Sequence, residues 1–241
     1  MVEVMDHVWY AAYGSNLSRD RFTHYLAGGR PPGAARGYDG ARDASEPLGD
    51  VPLTLEGEVY FAWESPTWGG GIAFYDPDAP GRGSGDVGWD VSPDGGAAGA
   101  APGVAARAYL VTGEQFSDVA SQEMRRPVGR DLPLADLFRE SRTAVLGPGR
   151  YETLHVVGEV DAVPVVTFTA SWEHASVELN PPVDAYLRTI ATGLAESHGW
   201  DAPEICDYLL SRPGSAPTWT PDALTTLVAD TLSPDAPPRH A

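Results

Sequence analysis

The hydrophobic pattern of the chain predicts strands up to Ser171, with helices between some of them, and only helices after that point. Short runs rich in β-branched and aromatic residues are typical of strands. They occur at Val8 to Tyr13, 51–63 with a turn near Glu56-Gly57, Ile72 to Tyr75, Val104 to Thr112, 143–146, 151–160 and Val163 to Ser171. A tight connection near Asp161 indicates a hairpin. These strands predict a mostly antiparallel, barrel-like sheet.

Helical spacing of apolar residues predicts the flanking elements. The expected helices are 18–26, 112–124, 132–137, 184–198, 203–210 and 221–232. Thr112 and Gln115 have the spacing of a capping box, and Gly199 is expected to end the helix that begins at Asp184. The whole pattern therefore predicts an α+β fold, in which a small mixed, mostly antiparallel β-barrel is flanked by helices.

Composition suggests how the chain is divided. Residues 76–103 are dominated by Gly, Pro, Ala, Asp and Ser, which predicts a long loop or insertion. The strands after this insertion need partners from before it, so we expect a single domain over residues 1–212. Residues 213–241 are predicted to form a C-terminal extension with a short helix and a Pro-rich tail.

The loop after the first strand is the first candidate for chemistry. Gly14 allows a sharp turn, and Ser15 or Asn16 is expected to cap the helix that follows. A strand, a glycine turn and a helix start together direct backbone N–H groups at one point, which suits an anion such as a carboxylate. A plain connecting turn is the alternative interpretation, and these residues alone leave both open.

Two further segments also have two interpretations. The glycines at 69–71 allow either a close approach of another backbone or ligand, or a flexible hairpin turn. Glu123 ends its predicted helix beside Arg125 and Arg126. On the residues alone, the preferred interpretation is a surface glutamate that pairs with a neighbouring arginine.

Charge and cysteine content exclude several classes of protein. The chain has 34 acidic and 16 basic residues, a net charge of −18, which argues against binding nucleic acid or an anionic membrane surface. Cys206 is the only cysteine, so an intramolecular disulfide is excluded and a reducing compartment is expected. There is no signal peptide pattern and no apolar run of membrane-spanning length. The expected location is therefore the cytoplasm.

Common catalytic and cofactor motifs are missing from the sequence. It contains no Walker loop, dinucleotide fingerprint, zinc-ligand spacing or Gly-x-Ser-x-Gly elbow. Its histidines are scattered, and His155 is interpreted as a residue of the core or sheet end rather than a metal ligand.

Four segments, in order, resemble the γ-glutamylcyclotransferase family. They are Tyr13-Gly14-Ser15-Asn16-Leu17, the Thr-Trp-x-Gly-Gly-Ile-Ala pattern at 67–73, Gln122-Glu123, and Pro181-Pro182 followed by Tyr186. The resemblance spans about residues 8–212. It implies a small β-barrel with flanking helices, and a lyase that cyclises a γ-glutamyl group to 5-oxoproline and releases an amino acid or amine without a metal or cofactor.

The resemblance also implies roles for individual residues. Glu123 corresponds to the general acid/base. Backbone contacts of the loop Tyr13, Gly14, Ser15, Asn16 and Leu17 would hold the α-carboxylate and α-amine of a small-molecule γ-glutamyl substrate, and Tyr186 corresponds to an active-site tyrosine.

Some features depart from the family pattern. An Arg pair follows Glu123, and it either lowers the pKa of that carboxylate or binds a substrate carboxylate. The insertion at 76–103 can cover the leaving-group side of the site. A non-catalytic binding protein that keeps the fold is the alternative function, and the leaving amine and the oligomeric state stay open.

Overall fold

The computed structural model describes residues 6–30, 37–79, 103–139 and 141–233. The strands in chain order are β1 (His7–Ala12), β2 (Gly49–Leu55), β3 (Glu58–Ala62), β4 (Ile72–Asp76), β5 (Val104–Thr112), β6 (Thr143–Val145), β7 (Thr153–Val160) and β8 (Val163–Thr169). The helices are α1 (Arg19–Ala27), α2 (Gly113–Glu123), α3 (Leu134–Leu137), α4 (Asp184–His198), α5 (Ala202–Leu210) and α6 (Pro221–Leu232).

Six strands form one sheet with the order β2-β5-β1-β8-β7-β6. Every pairing is antiparallel except that of β1 with β8, which is parallel. β1 lies at the centre, and its residues from Val8 onward are buried. Since β5 follows the insertion and pairs with both β1 and β2, the sheet is continuous across that insertion.

The expected α+β class and the mostly antiparallel sheet with flanking helices are confirmed. Among the described residues the six-stranded sheet is open, with β2 and β6 at its edges, and β3 and β4 form a separate two-stranded hairpin. That hairpin meets the main sheet through Thr169, whose hydroxyl accepts from the Tyr75 N–H at 3.0 Å and donates to the Tyr75 carbonyl at 2.8 Å.

Most predicted elements lie where expected, because their local signals are strong. Thr112 and Gln115 form the capping box, with both hydrogen bonds at 3.1 Å. Asp161 and Ala162 have φ of 52° and 62°, as the predicted hairpin between β7 and β8 requires. Gly199 ends α4 in the left-handed conformation. Of the predicted insertion, residues 80–102 lie outside the described residues.

The helices at the C-terminal end pack on one another. The predicted apolar stripe of α4 is buried as expected. Arg188 of α4 donates to the Leu227 carbonyl at 3.2 Å and to the Thr231 hydroxyl at 2.9 Å. Leu224 and Val228 of α6 are fully buried. The described part of the predicted extension therefore packs against the helices that precede it, whereas the predicted tail from residue 234 lies outside the described residues.

The glycines at 69–71 allow the close backbone approach that was one of two interpretations. A Cβ on Gly71 would lie 1.9 Å from the Asn180 carbonyl oxygen, and the Gly71 N–H donates to the Pro181 carbonyl at 2.9 Å. A side chain at this position is therefore excluded by the neighbouring backbone. The contact joins the β3–β4 connection to the segment that leads into α4.

None of the described helices combines the length and apolar character that a membrane crossing demands.

Candidate active site

The loop after β1 forms one wall of the site. Ser15–Leu17 is a short 3-10 turn, and α1 begins only at Arg19. Ser18 is the N-cap of α1 and makes no side-chain capping bond. The expectation that Ser15 or Asn16 caps this helix is therefore wrong, because the 3-10 turn separates these residues from the helix start.

Neighbouring elements hold this loop from behind. The Tyr109 hydroxyl of β5 donates to the Asn16 carbonyl at 2.9 Å, and Arg107 donates to the Leu17 carbonyl at 3.2 Å. At Gly193 of α4 a Cβ would lie 2.3 Å from the Leu17 carbonyl carbon. The helix backbone thus lies directly on the loop, which fixes the loop while leaving its other side to the cavity.

Glu123 lies at the end of α2 and faces that loop. The Asn16 side-chain amide donates to the Glu123 carboxylate at 3.2 Å, and the Tyr25 hydroxyl also bonds to it. The same Asn16 amide bonds to the Tyr10 hydroxyl at 3.1 Å. The preferred interpretation of Glu123 as a surface residue paired with an arginine is therefore wrong: α2 ends against α1 and the loop, and the carboxylate points inward.

Burial determines the proton affinity of Glu123. Burial of the carboxylate raises its pKa above 4.5, the usual value. The hydrogen bond from Tyr25 and the positive charges of Arg150 and Arg21 oppose this shift without cancelling it. A glutamate with a raised pKa in a cleft is suited to accept and release a proton.

The tyrosines around Glu123 remain neutral. Burial raises the pKa of Tyr10, Tyr13, Tyr25 and Tyr151 above the usual value, and the nearby Glu123 charge adds to this in each case. Neutral phenols are hydrogen-bond donors and acceptors. They surround the carboxylate without competing with it for a proton at neutral pH.

Gln122 fixes the end of α2. Its side-chain amide donates to the Tyr25 carbonyl at 2.9 Å, and its oxygen accepts from the Gly40 N–H at 3.2 Å. One turn earlier, Asp118 accepts from the Arg42 N–H and guanidinium and from the Gly129 N–H. These bonds tie the chain segments on both sides of α2 to the helix that carries Glu123.

Tyr186 of α4 completes the wall formed by the loop. Its hydroxyl accepts from the Ala73 N–H at 3.0 Å and also bonds to the Ser15 N–H. A Cβ on Gly14 would lie 2.9 Å from this hydroxyl, so the glycine is required by the close packing of the tyrosine. Tyr186 thus joins β4 to the loop at the cavity.

We expect Tyr186→Phe to lower the free energy of unfolding by about 1–3 kcal/mol, because the buried Ala73 N–H loses its acceptor. Urea unfolding measures this. Tyr60→Phe is the matched control, since the Tyr60 hydroxyl makes only a 3.4 Å contact with the Trp172 carbonyl. Equal stability of Tyr186→Phe and the wild type would contradict this role.

These elements enclose a cavity of about 480 Å³. Of the residues predicted for the site, the cavity is lined by Tyr13, Gly14, Ser15, Asn16, Glu123 and Tyr186. Leu17 is not among its lining residues, since its side chain is fully buried in the core. The Tyr13 hydroxyl donates to the Phe168 carbonyl at 2.8 Å, so this side chain is anchored to β8.

Within the described residues, four arginines lie in the cavity wall, and of these Arg21 and Arg150 were not predicted. Arg21, Arg125, Arg126 and Arg150 line it, together with the carboxylates of Glu123 and Asp39. Arg126 pairs with Glu152 rather than with Glu123. For Arg21, the sequence holds one indication of this position. Arg21 precedes Tyr25 by four residues, which places both side chains on the same face of α1.

No family model matches the chain. Over 224 residues it is 29% identical to Histone deacetylase 5 of Arabidopsis thaliana, and the match covers 86% of this chain and 31% of that protein. The chain thus spans about a third of the length of this curated relative.

The solved structures that resemble it are distant in sequence. A gamma-glutamyl cyclotransferase has a TM-score of 0.48 and 15% identity, and an uncharacterized protein from Homo sapiens has a TM-score of 0.48 and 16% identity. Each match covers 92% of this chain and 98% of the other. YkqA from Bacillus subtilis has a TM-score of 0.38 and 14% identity, with 86% and 55% covered.

Proposed function

We propose that the protein is a γ-glutamylcyclotransferase-like lyase, which cyclises a γ-glutamyl group to 5-oxoproline and releases an amino acid or amine. The observation that carries this proposal is the position of Glu123. Its carboxylate has a raised pKa, accepts from Asn16 and Tyr25, and faces the same cavity as the Gly14–Asn16 loop. The resemblance of the four sequence segments supports the same activity.

The reaction requires the net transfer of one proton from the attacking nitrogen to the leaving nitrogen. The α-amine of the γ-glutamyl group attacks its own γ-carbonyl carbon, a new C–N bond closes the five-membered ring, and the original amide C–N bond breaks. The attacking nitrogen loses a proton and the leaving nitrogen gains one, so one carboxylate can carry out both transfers. Water is not consumed, and the two products together contain all atoms of the substrate.

The loop and Tyr186 serve to orient the substrate in this proposal. Backbone groups of residues 13–17 hold the α-carboxylate and α-amine, while Tyr186 keeps the loop in place through the Ser15 N–H. Holding the amine against the carbonyl supplies the rate advantage of an intramolecular reaction. Burial raises the pKa of Glu123, which makes the carboxylate a stronger base for this proton.

The alternative is a binding protein that keeps the fold without the chemistry. It would have a cavity filled by side chains, or a Glu123 carboxylate locked by Arg125 or Arg126. The cavity volume of about 480 Å³ and the pairing of Arg126 with Glu152 favour the enzyme instead. Asn16 and Tyr25 donate hydrogen bonds to the Glu123 carboxylate.

Release of 5-oxoproline tests the function. The wild-type protein is incubated with a panel of γ-glutamyl amino acids and γ-glutamyl amines, and 5-oxoproline is quantified by mass spectrometry. We expect release from at least one compound. A folded protein that releases none, or that releases free glutamate instead, would contradict the proposal, and a compound that binds unchanged would support the binding protein.

The pH dependence of this activity is expected to report the Glu123 environment. As a base, Glu123 must be ionised, so kcat/KM should fall as the pH decreases through its raised pKa, above 4.5. Arg150 lowers that pKa. We therefore expect Arg150→Gln to shift the acid limb of the pH–rate profile to higher pH.

Arg139→Gln is the control for this shift, since it removes the same charge from an exposed arginine that pairs with Asp136. Its profile should match that of the wild type. An acid limb that stays in place in Arg150→Gln, or that moves to lower pH, would show that Arg150 does not act on the ionising group.

A further inference from the structure

Arg21 is a buried cation in the cavity wall. It is 8% exposed, and its guanidinium carbon lies 4.9 Å from the ring centres of both Tyr38 and Trp68. Its Nε has no hydrogen-bond partner, and within residues 6–30, 37–79, 103–139 and 141–233 no carboxylate forms an ion pair with it. Glu123 is close enough to interact with Arg21 electrostatically, but it forms no ion pair with it. A buried charge without a directly bonded anionic partner is costly, so the arrangement favours an anion from outside the chain.

The aromatic rings determine how this cation can bind. Contacts over the ring faces hold a guanidinium by cation–π attraction. They leave its N–H groups, which lie in the guanidinium plane, to donate at the edge. A planar carboxylate matches that edge with two parallel hydrogen bonds. The contacts with Tyr38 and Trp68 therefore orient the Arg21 guanidinium to bind a carboxylate in the cavity.

The local charge contrasts with that of the whole protein. The chain carries a net charge of −18, yet among the residues that the structure describes four arginines and two carboxylates line the cavity. Arg126 is already paired with Glu152. Positive charge concentrated in one cleft of an acidic protein attracts anionic ligands to that cleft.

We propose that Arg21 binds an acidic group on the leaving amine and thereby determines which γ-glutamyl compounds are accepted. This inference rests on the proposed function, in which the loop of residues 13–17 already holds the α-carboxylate of the glutamyl group. The Arg21 side chain lies on α1, the helix that follows this loop, and is held by contact with Trp68. It therefore offers a binding position for a second carboxylate in the same cavity. It selects leaving amines that carry a carboxylate over amines that carry none.

A matched pair of substrates tests this selection. γ-Glutamylalanine and γ-glutamylethylamine differ only in the carboxylate of the leaving amine. We expect wild-type kcat/KM to be about 30-fold or more higher for γ-glutamylalanine, because losing one partner of a buried charge pair has at least this effect. Arg21→Gln should bring the two values to within about 3-fold of each other, mainly by raising KM for γ-glutamylalanine. Arg139→Gln should keep the wild-type ratio.

Two results would overturn the inference while leaving the proposed function in place. One is a wild-type protein that converts both compounds equally well. The other is an equal loss for both compounds in Arg21→Gln, which would assign Arg21 to the glutamyl end or to the fold. The wild-type comparison needs no variant, so a failure of Arg21→Gln to fold leaves that test intact.

Binding measurements separate the two proposals. Calorimetry on Glu123→Gln, with and without Arg21→Gln, measures affinity for both compounds independently of turnover. Tighter binding of γ-glutamylalanine that depends on Arg21, without 5-oxoproline from the wild type, would support the anion site and reject the enzyme. Binding of both compounds with equal affinity would reject the anion site.

Discussion

Glu123→Gln is expected to lower kcat/KM for release of 5-oxoproline by about 10²–10⁴-fold, the usual contribution of a positioned general acid/base. Glutamine has nearly the same shape and can hydrogen-bond to Asn16 and Tyr25 through its amide oxygen and amide N–H, but it cannot take a proton from the attacking amine. Steady-state kinetics on the best γ-glutamyl compound measures the loss.

Glu114→Gln is the matched control. Glu114 lies at the other end of α2, where it pairs with Arg42, and its side chain is partly exposed. It should keep wild-type activity. Activity in Glu123→Gln close to that of the wild type would contradict the assigned role.

Thermal stability distinguishes loss of chemistry from loss of fold. Burial raises the pKa of Glu123 in the folded state above that in the unfolded chain, so folding favours the protonated carboxyl. This contribution to stability is fully present below the pKa that Glu123 has in the unfolded chain. It is lost as the pH rises through the pKa that Glu123 has in the folded protein. Glu123→Gln should therefore be at least as stable as the wild type at neutral pH, and a marked decrease of its Tm would point to misfolding.

Asp118→Ala is expected to lower the free energy of unfolding by about 3 kcal/mol or more, because hydrogen bonds to a charged group contribute about 1.5–3 kcal/mol each. The Asp118 side chain is fully buried, and its carboxylate accepts from the Arg42 N–H and Nε at 2.8 and 2.9 Å and from the Gly129 N–H at 3.0 Å. Urea unfolding measures the change.

Asp136→Ala is the control for this variant. Asp136 forms an exposed ion pair with Arg139, and such pairs contribute about 0–1 kcal/mol. A loss in Asp118→Ala no larger than that in the control would show that the buried carboxylate does not hold the segments beside α2.

The sequence predicted the elements better than their assembly. Helix ends such as Thr112 and Gly199 are local signals, since a capping box or a left-handed glycine acts within a few residues. The environment of Glu123 is not local, because Asn16 and Tyr25 come from a part of the chain about a hundred residues away. Its burial could be inferred only from family resemblance, while the residue pattern favoured a surface position.

The remaining differences also arise from contacts between distant segments. Whether β3 and β4 join the main sheet depends on their packing against β8, which no spacing within the hairpin reveals. Arg21 lies in a helix that the spacing of apolar residues predicted, but its aromatic neighbours Tyr38 and Trp68 come from two separate loops. A cation enclosed in this way has the sequence pattern of an ordinary solvated arginine.

The most direct test of the central claim is to identify the nucleophile. The protein is incubated with its best γ-glutamyl compound in water enriched in ¹⁸O, and the products are analysed by mass spectrometry. Attack by the substrate's own α-amine predicts 5-oxoproline without ¹⁸O in its ring carbonyl, together with one equivalent of free amine. Glutamate that carries ¹⁸O in its γ-carboxylate would identify water as the nucleophile and contradict the account.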